Sequence, residues 1–133
     1  MLPIFTAAEF VKATRSSPQQ NCVRVARRNG WTAIWDDKLG NEQTTGSTAI
    51  PESQMLIFTD DEFDAYQHSI RVGTTEPCPL TIEQHHGTFV FTATDPTTQP
   101  GGDVKLHFDQ GEFDAFVDGI RSHEFARRRF AAT

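Results

Sequence analysis

Cysteine, basic residues and long apolar runs are all scarce in this chain. Two cysteines among 133 residues do not make a disulfide scaffold and fit a reducing cytoplasm. Lysine and arginine number 12 against 18 acidic residues, which excludes a surface built to coat nucleic acid. No apolar run approaches the roughly 18 residues that a membrane span needs, and Met1–Phe5 lacks the features of a secretory signal. We therefore expect a cytoplasmic protein that contacts neither membrane nor nucleic acid directly.

Aromatic residues, by contrast, are plentiful. The chain holds 11 Phe, 2 Trp and 1 Tyr, and 37% of its residues are hydrophobic against 23% charged. Disordered segments lack the aromatic surface from which a core is built, so this composition is typical of a folded globular protein. The length gives room for one ordinary domain or for two very small units that share a core.

An internal repeat organises the chain. Residues 56–71 and 106–121 are identical at eight of sixteen positions without a gap. Upstream of each copy, short β-branched and aromatic runs flank Asn29-Gly30 and His86-Gly87. Such runs around a two-residue turn predict a β-hairpin, and Asn-Gly favours a type I′ turn because both residues accept a positive φ. Each copy should therefore form a hairpin, a loop, a strand and a helix.

Capping signatures predict where the helices begin. A capping residue is followed three places later by Glu in three segments: Thr6-x-x-Glu9, Thr59-x-x-Glu62 and Asp109-x-x-Glu112. In such a capping box, each of the two side chains accepts a hydrogen bond from the backbone N–H of the other residue. Apolar residues at helical spacing follow the last two boxes, and Gly73 marks the expected end of the first full helix. The first box predicts a further helix near the N-terminus.

Together these elements predict an α+β fold. Two repeats of β-hairpin, loop, strand and helix should pack as one pseudo-two-fold antiparallel-sheet domain. Repeat one spans residues 1–76 with the N-terminal helix, and repeat two spans residues 77–133 with the basic tail Arg127-Arg128-Arg129. Either unit would be marginal alone, so we expect one shared core. The polar loop Asp37–Ser53 is long for a compact domain and should be either a binding loop or mobile.

Charge is distributed unevenly along the chain. Residues 1–57 sum to +1, residues 58–126 to −10, and the last seven residues to +3. The acidic middle segment contains both full helices. Such a distribution favours an acidic face for a partner, although acidic residues that only keep the protein in solution would give the same count.

Several short motifs resemble the actinobacterial domain of unknown function 397. Asn21–Ala26 and Ile34–Lys38 are similar to the family's opening strands, and Leu56–Phe63 and Leu106–Phe113 are similar to its closing strand and helix. The chain thus resembles two such domains in tandem, although the second copy lacks the Asn-Cys-Val opening. Members of that family are small cytoplasmic proteins, often encoded beside helix-turn-helix regulators that they bind. The resemblance implies a regulatory protein partner and carries no catalytic residues.

Resemblance and charge together lead to one functional expectation. We expect a non-enzymatic regulatory protein of an actinobacterium that binds and modulates a helix-turn-helix transcriptional regulator through an acidic face. The aspartates assigned to that face are Asp61, Asp64, Asp114 and Asp118. Complementary charge would speed association with the regulator's basic DNA-reading surface, and occlusion of that surface would compete with DNA. Whether the chain also forms a homodimer is left open.

The alternative is a small-molecule-binding module. Its pocket would lie between the two repeats and be lined by Phe58, Phe91 and Phe108. An enzyme would need convergent polar groups in a cleft, and no nucleotide-binding or hydrolase motif is present. We therefore predict no catalytic residue and no cofactor.

The remaining candidate residues have structural explanations. Cys22 could be a reactive thiol, but isolated cysteines are more often buried. His85-His86 could begin a metal site, but adjacent strand residues point to opposite faces, so one metal ion would not easily bind both rings. His86 occupies the turn position that Asn29 holds in repeat one, which favours solvated turn residues. Trp31 and Trp35 share a strand face and are either core residues or an exposed anchor for a partner.

Overall fold

The computed structural model describes residues 4–11, 23–36, 39, 47–73, 79–95, 97 and 99–126. Repeat one contains strands β1 (Val23–Arg28), β2 (Trp31–Asp36) and β3 (Met55–Thr59), followed by helix α1 (Asp60–Val72). Repeat two contains β4 (Leu80–His85), β5 (Thr88–Ala93) and β6 (Leu106–Asp109), followed by helix α2 (Gln110–Arg121). The predicted order of elements in each repeat is confirmed.

Two tight turns set the hairpin registers. Asn29 and Gly30 have φ of 53° and 86°, and His86 and Gly87 have φ of 51° and 82°, the left-handed pair that a type I′ turn requires. Arg28 consequently pairs with Trp31 in the first hairpin. His85 pairs with Thr88 in the second, so the two hairpins correspond at an offset of 57 residues.

Each repeat forms its own antiparallel sheet. The strand orders are β1-β2-β3 and β4-β5-β6, because each hairpin is extended by the strand that leads into the helix. Leu56 lies opposite Ile34 in the first sheet, and Leu106 lies opposite Phe91 in the second. The sixteen-residue repeat therefore occupies equivalent places in both sheets, and the α+β fold is as predicted.

Both helices are capped as the sequence predicts. In α1 the Thr59 N–H donates to Glu62 Oε1 at 2.9 Å, and the Glu62 N–H donates to Thr59 Oγ1 at 3.1 Å. Asp109 and Glu112 exchange the same two bonds at 3.0 and 2.8 Å at the start of α2. Gly73 ends α1 in the left-handed region at φ 74°, a conformation that glycine adopts without a steric penalty.

One core joins the two repeats. Its buried side chains come from the inner faces of both sheets and from α1, α2 and the residues after α2. The largest fully buried members are Ile34, Leu56, Phe63, Phe91, Leu106, Phe108, Phe116, Ile120 and Phe125. Phe116 stands at the centre, with ring centroids 5.4 Å from Phe91, 5.8 Å from Phe125 and 6.4 Å from Tyr66. Neither repeat could bury this surface without the other.

A second, smaller cluster covers the outer face of the first sheet. It contains Phe5, Phe10, Ala26, Ala33, Trp35, Ile50, Met55 and Ile57. Trp35 is 4% exposed, its ring centroid lies 5.3 Å from that of Phe10, and Trp31 packs half-buried against the same cluster. Trp35 is therefore a core residue.

The N-terminal segment forms less helix than its capping box suggests. Glu9 accepts from the Thr6 N–H at 2.6 Å, but only the 3-10 turn Ala7–Glu9 follows, and Phe10 is extended. Val11 then exchanges two backbone hydrogen bonds with Val25 of β1, at 2.8 and 2.9 Å. Pairing with the edge of β1 requires an extended backbone, and this stops the helix after one turn.

A side chain from repeat two closes the outer edge of β3. Gln99 accepts a hydrogen bond from the Ile57 N–H at 2.7 Å and donates one to the Ile57 carbonyl at 2.8 Å. Its side-chain amide thus makes the two hydrogen bonds that a neighbouring strand would make to Ile57. Beside it, a Cβ on Gly101 would clash with the backbone carbonyl oxygen of Glu52. Only glycine permits the loop before β6 to pack this closely against repeat one.

Several sequence predictions concern residues outside the described ranges. These residues are Cys22 and the tail Arg127-Arg128-Arg129. Most of the loop Asp37–Ser53 also lies outside them, but its final part is described. There Ile50 is buried, and its N–H donates to the Phe5 carbonyl at 2.8 Å.

Candidate functional site

The four predicted partner-binding aspartates lie on the two full helices. Asp61 and Asp64 are three residues apart on α1, and Asp114 and Asp118 are four apart on α2, so each pair shares one helix face. Asp61 is exposed and the other three are half-buried. The two helices contact each other, which places both pairs on adjoining elements.

Other carboxylates of the acidic segment serve the fold. Glu62, Asp109 and Glu112 are engaged in the two capping boxes, and Glu112 is buried there at 4% exposure. Negative charge in the first turn is stabilised by the positive end of the helix dipole. The acidic segment is therefore smaller as a partner surface than its sequence charge indicates.

A buried arginine uses two more of these carboxylates. The Arg27 side chain is 2% exposed, with Nε 3.2 Å from Asp60 Oδ1 and Nη1 2.8 Å from Asp64 Oδ1. Nη1 also donates to the Phe125 carbonyl at 2.8 Å, and the guanidinium lies 5.2 Å from the centre of the Phe63 ring. Arg27 thus ties β1 to the start of α1 and to the residues that follow α2.

Repeat two carries neutral residues where repeat one carries Arg27 and Asp60. At the hairpin offset of 57 Arg27 corresponds to Gln84, and at the helix offset of 50 Asp60 and Asp64 correspond to Gln110 and Asp114. Gln110 Nε2 donates to Asp114 Oδ1 at 2.8 Å, a neutral partner in place of a guanidinium. Asp64 is therefore charge-compensated by Arg27, whereas its counterpart Asp114 has no ion pair with a described cationic residue.

Among the described residues, Asp114 and Asp118 form no ion pair with a lysine, arginine or histidine. They lie about one helical turn apart on the same face of α2, and each is only half-buried. Together they place negative charge on one helix face that no lysine, arginine or histidine in the described part of the chain compensates. This pair forms the centre of the candidate surface.

Arg27 is the main site residue that the sequence analysis did not single out. A signal was present, because Val23, Val25 and Arg27 alternate along one strand and the first two are apolar residues of the inner face. Arginine at an inward position requires buried partners. Which carboxylates supply them depends on the packing of α1 against β1, which local sequence does not specify.

The structure places His86 in the turn, as predicted, and His85 at the end of β4. His86 is an exposed turn residue, and His85 Nε2 lies 3.0 Å from Glu83 Oε2 at the exposed end of β4. Within the described ranges, no three His, Cys, Asp or Glu side chains are grouped so as to hold a metal ion.

Elsewhere on the surface, the Thr97 hydroxyl and N–H donate hydrogen bonds to the Asp95 carboxylate and lower the pKa of Asp95.

The three phenylalanines of the alternative pocket belong to the shared core. Phe58, Phe91 and Phe108 are 3%, 0% and 1% exposed. Phe91 meets Phe108 edge-on with ring centroids 4.8 Å apart and also contacts Phe116. These contacts give the rings a packing role, and none of them favours a ligand.

Three comparisons with known proteins were made for this chain. The chain matches no protein-family profile, no curated protein and no solved structure. In the described ranges, neither α1 nor α2 is long and apolar enough to cross a membrane.

Proposed function

We propose that this chain is a non-enzymatic regulatory protein that binds a helix-turn-helix transcriptional regulator through the acidic surface of its two capped helices. The proposal includes an actinobacterial, cytoplasmic setting, as the resemblance to the domain of unknown function 397 implies. The observation that carries the proposal is the pair Asp114 and Asp118, half-buried on one face of α2 and unpaired with any cation in the described part of the chain.

The four aspartates have different parts in this proposal. Asp114 and Asp118 would meet the regulator's basic residues directly, and exposed Asp61 on α1 would extend the surface. Asp64 contacts Arg27 at 2.8 Å, so its main contribution is to hold α1 in place. Charge complementarity of this kind mainly raises the association rate and weakens as salt increases.

The regulator's DNA-reading surface is the proposed target because it is basic by necessity. A surface that neutralises phosphates carries lysine and arginine, and carboxylates on a rigid helix can pair with the same side chains. Occupancy by α2 would then exclude DNA from that surface. The chain would act as a competitor for DNA, with no chemical step.

The experiment begins with the regulator that co-purifies with the chain from its native cell. Its affinity is then measured by titration against the wild type and against Asp114→Asn/Asp118→Asn. The double variant should bind at least about tenfold more weakly, equivalent to about 1.4 kcal/mol. The difference should shrink at high salt because the lost interaction is electrostatic.

A matched control removes the same charge elsewhere. Glu83→Gln/Asp103→Asn changes two exposed carboxylates that lie outside both helices, and it should bind the regulator as the wild type does. Equal affinities for the wild type and for the α2 variant would refute the acidic-surface model. Equal weakening in both double variants would instead show an effect of net charge alone.

A further inference from the structure

The turn of the first hairpin contains the one Asn-Gly step in the sequence. Asn29 and Gly30 are both exposed, and the other two asparagines, Asn21 and Asn41, precede cysteine and glutamate. Asparagine is thermolabile, because the backbone nitrogen of the next residue can attack its side-chain amide carbon. Glycine in that next position places no side chain beside the attacking nitrogen. Asn29 is therefore the asparagine whose amide is most open to such an attack.

The turn geometry lies one peptide rotation away from the reacting arrangement. Asn29 has φ of 53° and Gly30 has φ of 86°, as in a type I′ turn. Cyclisation requires the Gly30 nitrogen to eclipse Cβ of Asn29, and this places ψ of Asn29 at about −120°, the value of the first central residue in a type II′ turn. That residue has a positive φ in both turn types. Rotation of the peptide unit between Asn29 and Gly30 therefore brings the two reacting atoms together.

The hairpin permits this rotation without opening. Gly30 can follow it because glycine adopts both signs of φ. The rotating unit carries the Asn29 carbonyl and the Gly30 N–H, whereas the flanking pair Arg28 and Trp31 closes the ladder. The Gly30 carbonyl belongs to the next peptide unit, and it accepts a hydrogen bond from the Asp60 N–H at 2.9 Å. The reaction therefore needs no unfolding of the sheet.

We propose that Asn29-Gly30 is a self-modification site, whose turn converts to isoaspartate in the folded chain and then releases the start of α1. The Gly30 nitrogen bonds to Cγ of Asn29, the Cγ–Nδ2 bond breaks, and the side-chain nitrogen leaves as ammonia with the proton of the Gly30 N–H. Water then opens the succinimide. Cleavage at the backbone carbonyl of residue 29 leaves isoaspartate, and cleavage at Cγ leaves aspartate. No regulator takes part in these steps, so the inference goes beyond the function proposed above.

Isoaspartate lengthens the turn, because the backbone then runs through Cβ and Cγ of residue 29. Turn length sets the register of a hairpin, and the extra backbone atom moves the Gly30 carbonyl away from the Asp60 N–H. The Asp60 carboxylate also accepts from Thr32 Oγ1 at 2.6 Å and from Arg27 Nε at 3.2 Å. The modification thus acts at the point where the first hairpin is bonded to α1.

Repeat two supplies a matched control. His86 and Gly87 form the same turn, with φ of 51° and 82°, but an imidazole offers no amide carbon for attack. Asn29→His should therefore keep the turn and remove the reaction. Asn29→Asp, freshly prepared, introduces the charge of the product without the longer backbone.

Incubation of the full chain followed by peptide mass spectrometry tests the site. Residue 29 should become isoaspartate before Asn21 or Asn41 reacts, and Asn29→His should form none at this position. The rate in the folded chain should be at most about a hundredfold below the rate in urea, because the rotated turn holds Asn29 in a sparsely populated conformation. A larger deficit would mean that the reaction waits for unfolding. That result overturns the proposal, as does an Asn29 that stays unmodified.

Hydrogen exchange tests the release of α1. In the purified isoaspartate form the Asp60 amide should exchange at least about tenfold faster than in Asn29→Asp. The Glu62 amide, which donates to Thr59 Oγ1 at 3.1 Å, should keep its protection in both. Equal exchange of the Asp60 amide in the two proteins would show that the longer turn leaves α1 in place, which contradicts the proposal. Regulator binding by Asn29→His, which cannot react, tests the proposed function independently.

Discussion

Replacing Arg27 by glutamine should lower the free energy of unfolding by about 3 kcal/mol. The change removes a guanidinium that contacts Asp60, Asp64 and the Phe125 carbonyl. Breaking a buried ion pair costs about 3–5 kcal/mol, because the remaining charge stays buried. The lower end applies here, since the Asp64 side chain is 39% exposed and Asp60 keeps a 2.6 Å hydrogen bond from Thr32.

Repeat two suggests the second arm of this experiment. It carries Gln84 and Gln110 where repeat one carries Arg27 and Asp60, so Arg27→Gln/Asp60→Gln converts one arrangement into the other. Because the double variant leaves no unpaired Asp60 charge in the interior, it should be more stable than the sum of the two single effects predicts. We expect a coupling of about 1 kcal/mol or more.

Urea unfolding followed by tryptophan fluorescence measures these differences, since Trp31 and Trp35 both pack on the first sheet. Arg28→Gln is the matched control on the same strand. Its ion pair with Glu9 at 3.1 Å is more exposed, and it should cost no more than about 1 kcal/mol. A loss below about 1 kcal/mol for Arg27→Gln, or strictly additive effects in the cycle, would refute the reasoning.

Three further predictions concern an edge, a turn and a surface carboxylate. Gln99→Ala should destabilise the fold by about 2–4 kcal/mol, measured by urea unfolding, because it leaves the buried N–H and C=O of Ile57 without hydrogen-bond partners. An unchanged urea midpoint would contradict this. His86→Asn should raise the free energy of unfolding by roughly 0.5 kcal/mol, since asparagine accepts the positive φ of a type I′ turn more readily, and a loss of stability would count against it. Thr97→Ala should move the pKa of Asp95 upward towards its ordinary value in a carboxyl NMR titration, because the Thr97 hydroxyl bond is the largest cause lowering it; Thr94→Ala, which leaves that hydroxyl in place, should not.

Local chemistry predicted the elements of this fold well. Asn29-Gly30 specifies its turn through backbone conformation, and the Thr59 and Asp109 boxes specify helix starts through bonds within four residues. The capping box at Thr6 predicted a helix, but only a single 3-10 turn forms. A longer-range contact, between Val11 and Val25, requires extended backbone immediately after that turn.

The candidate surface was less predictable than the elements. Sequence spacing placed Asp61 and Asp64 on one helix face, but only the packed structure shows that Asp64 is compensated by Arg27. Gln99 offered no local signal either, because its two bonds reach a strand 42 positions earlier. Residues that act across the boundary between the repeats cannot be assigned from the pattern within either one.

The Gln99 and Arg27 contacts also set an order for folding during synthesis. When residue 73 has left the ribosome, Gln99 and Phe125 have not yet been synthesised, so the edge at Ile57 and the Arg27 side chain lack these partners. The nascent first repeat therefore waits with an open strand edge, the kind of surface that promotes misassembly between neighbouring chains. Repeat one can complete these contacts only when translation has reached Phe125, near the end of repeat two. The first repeat therefore stays incomplete during most of the synthesis of the second.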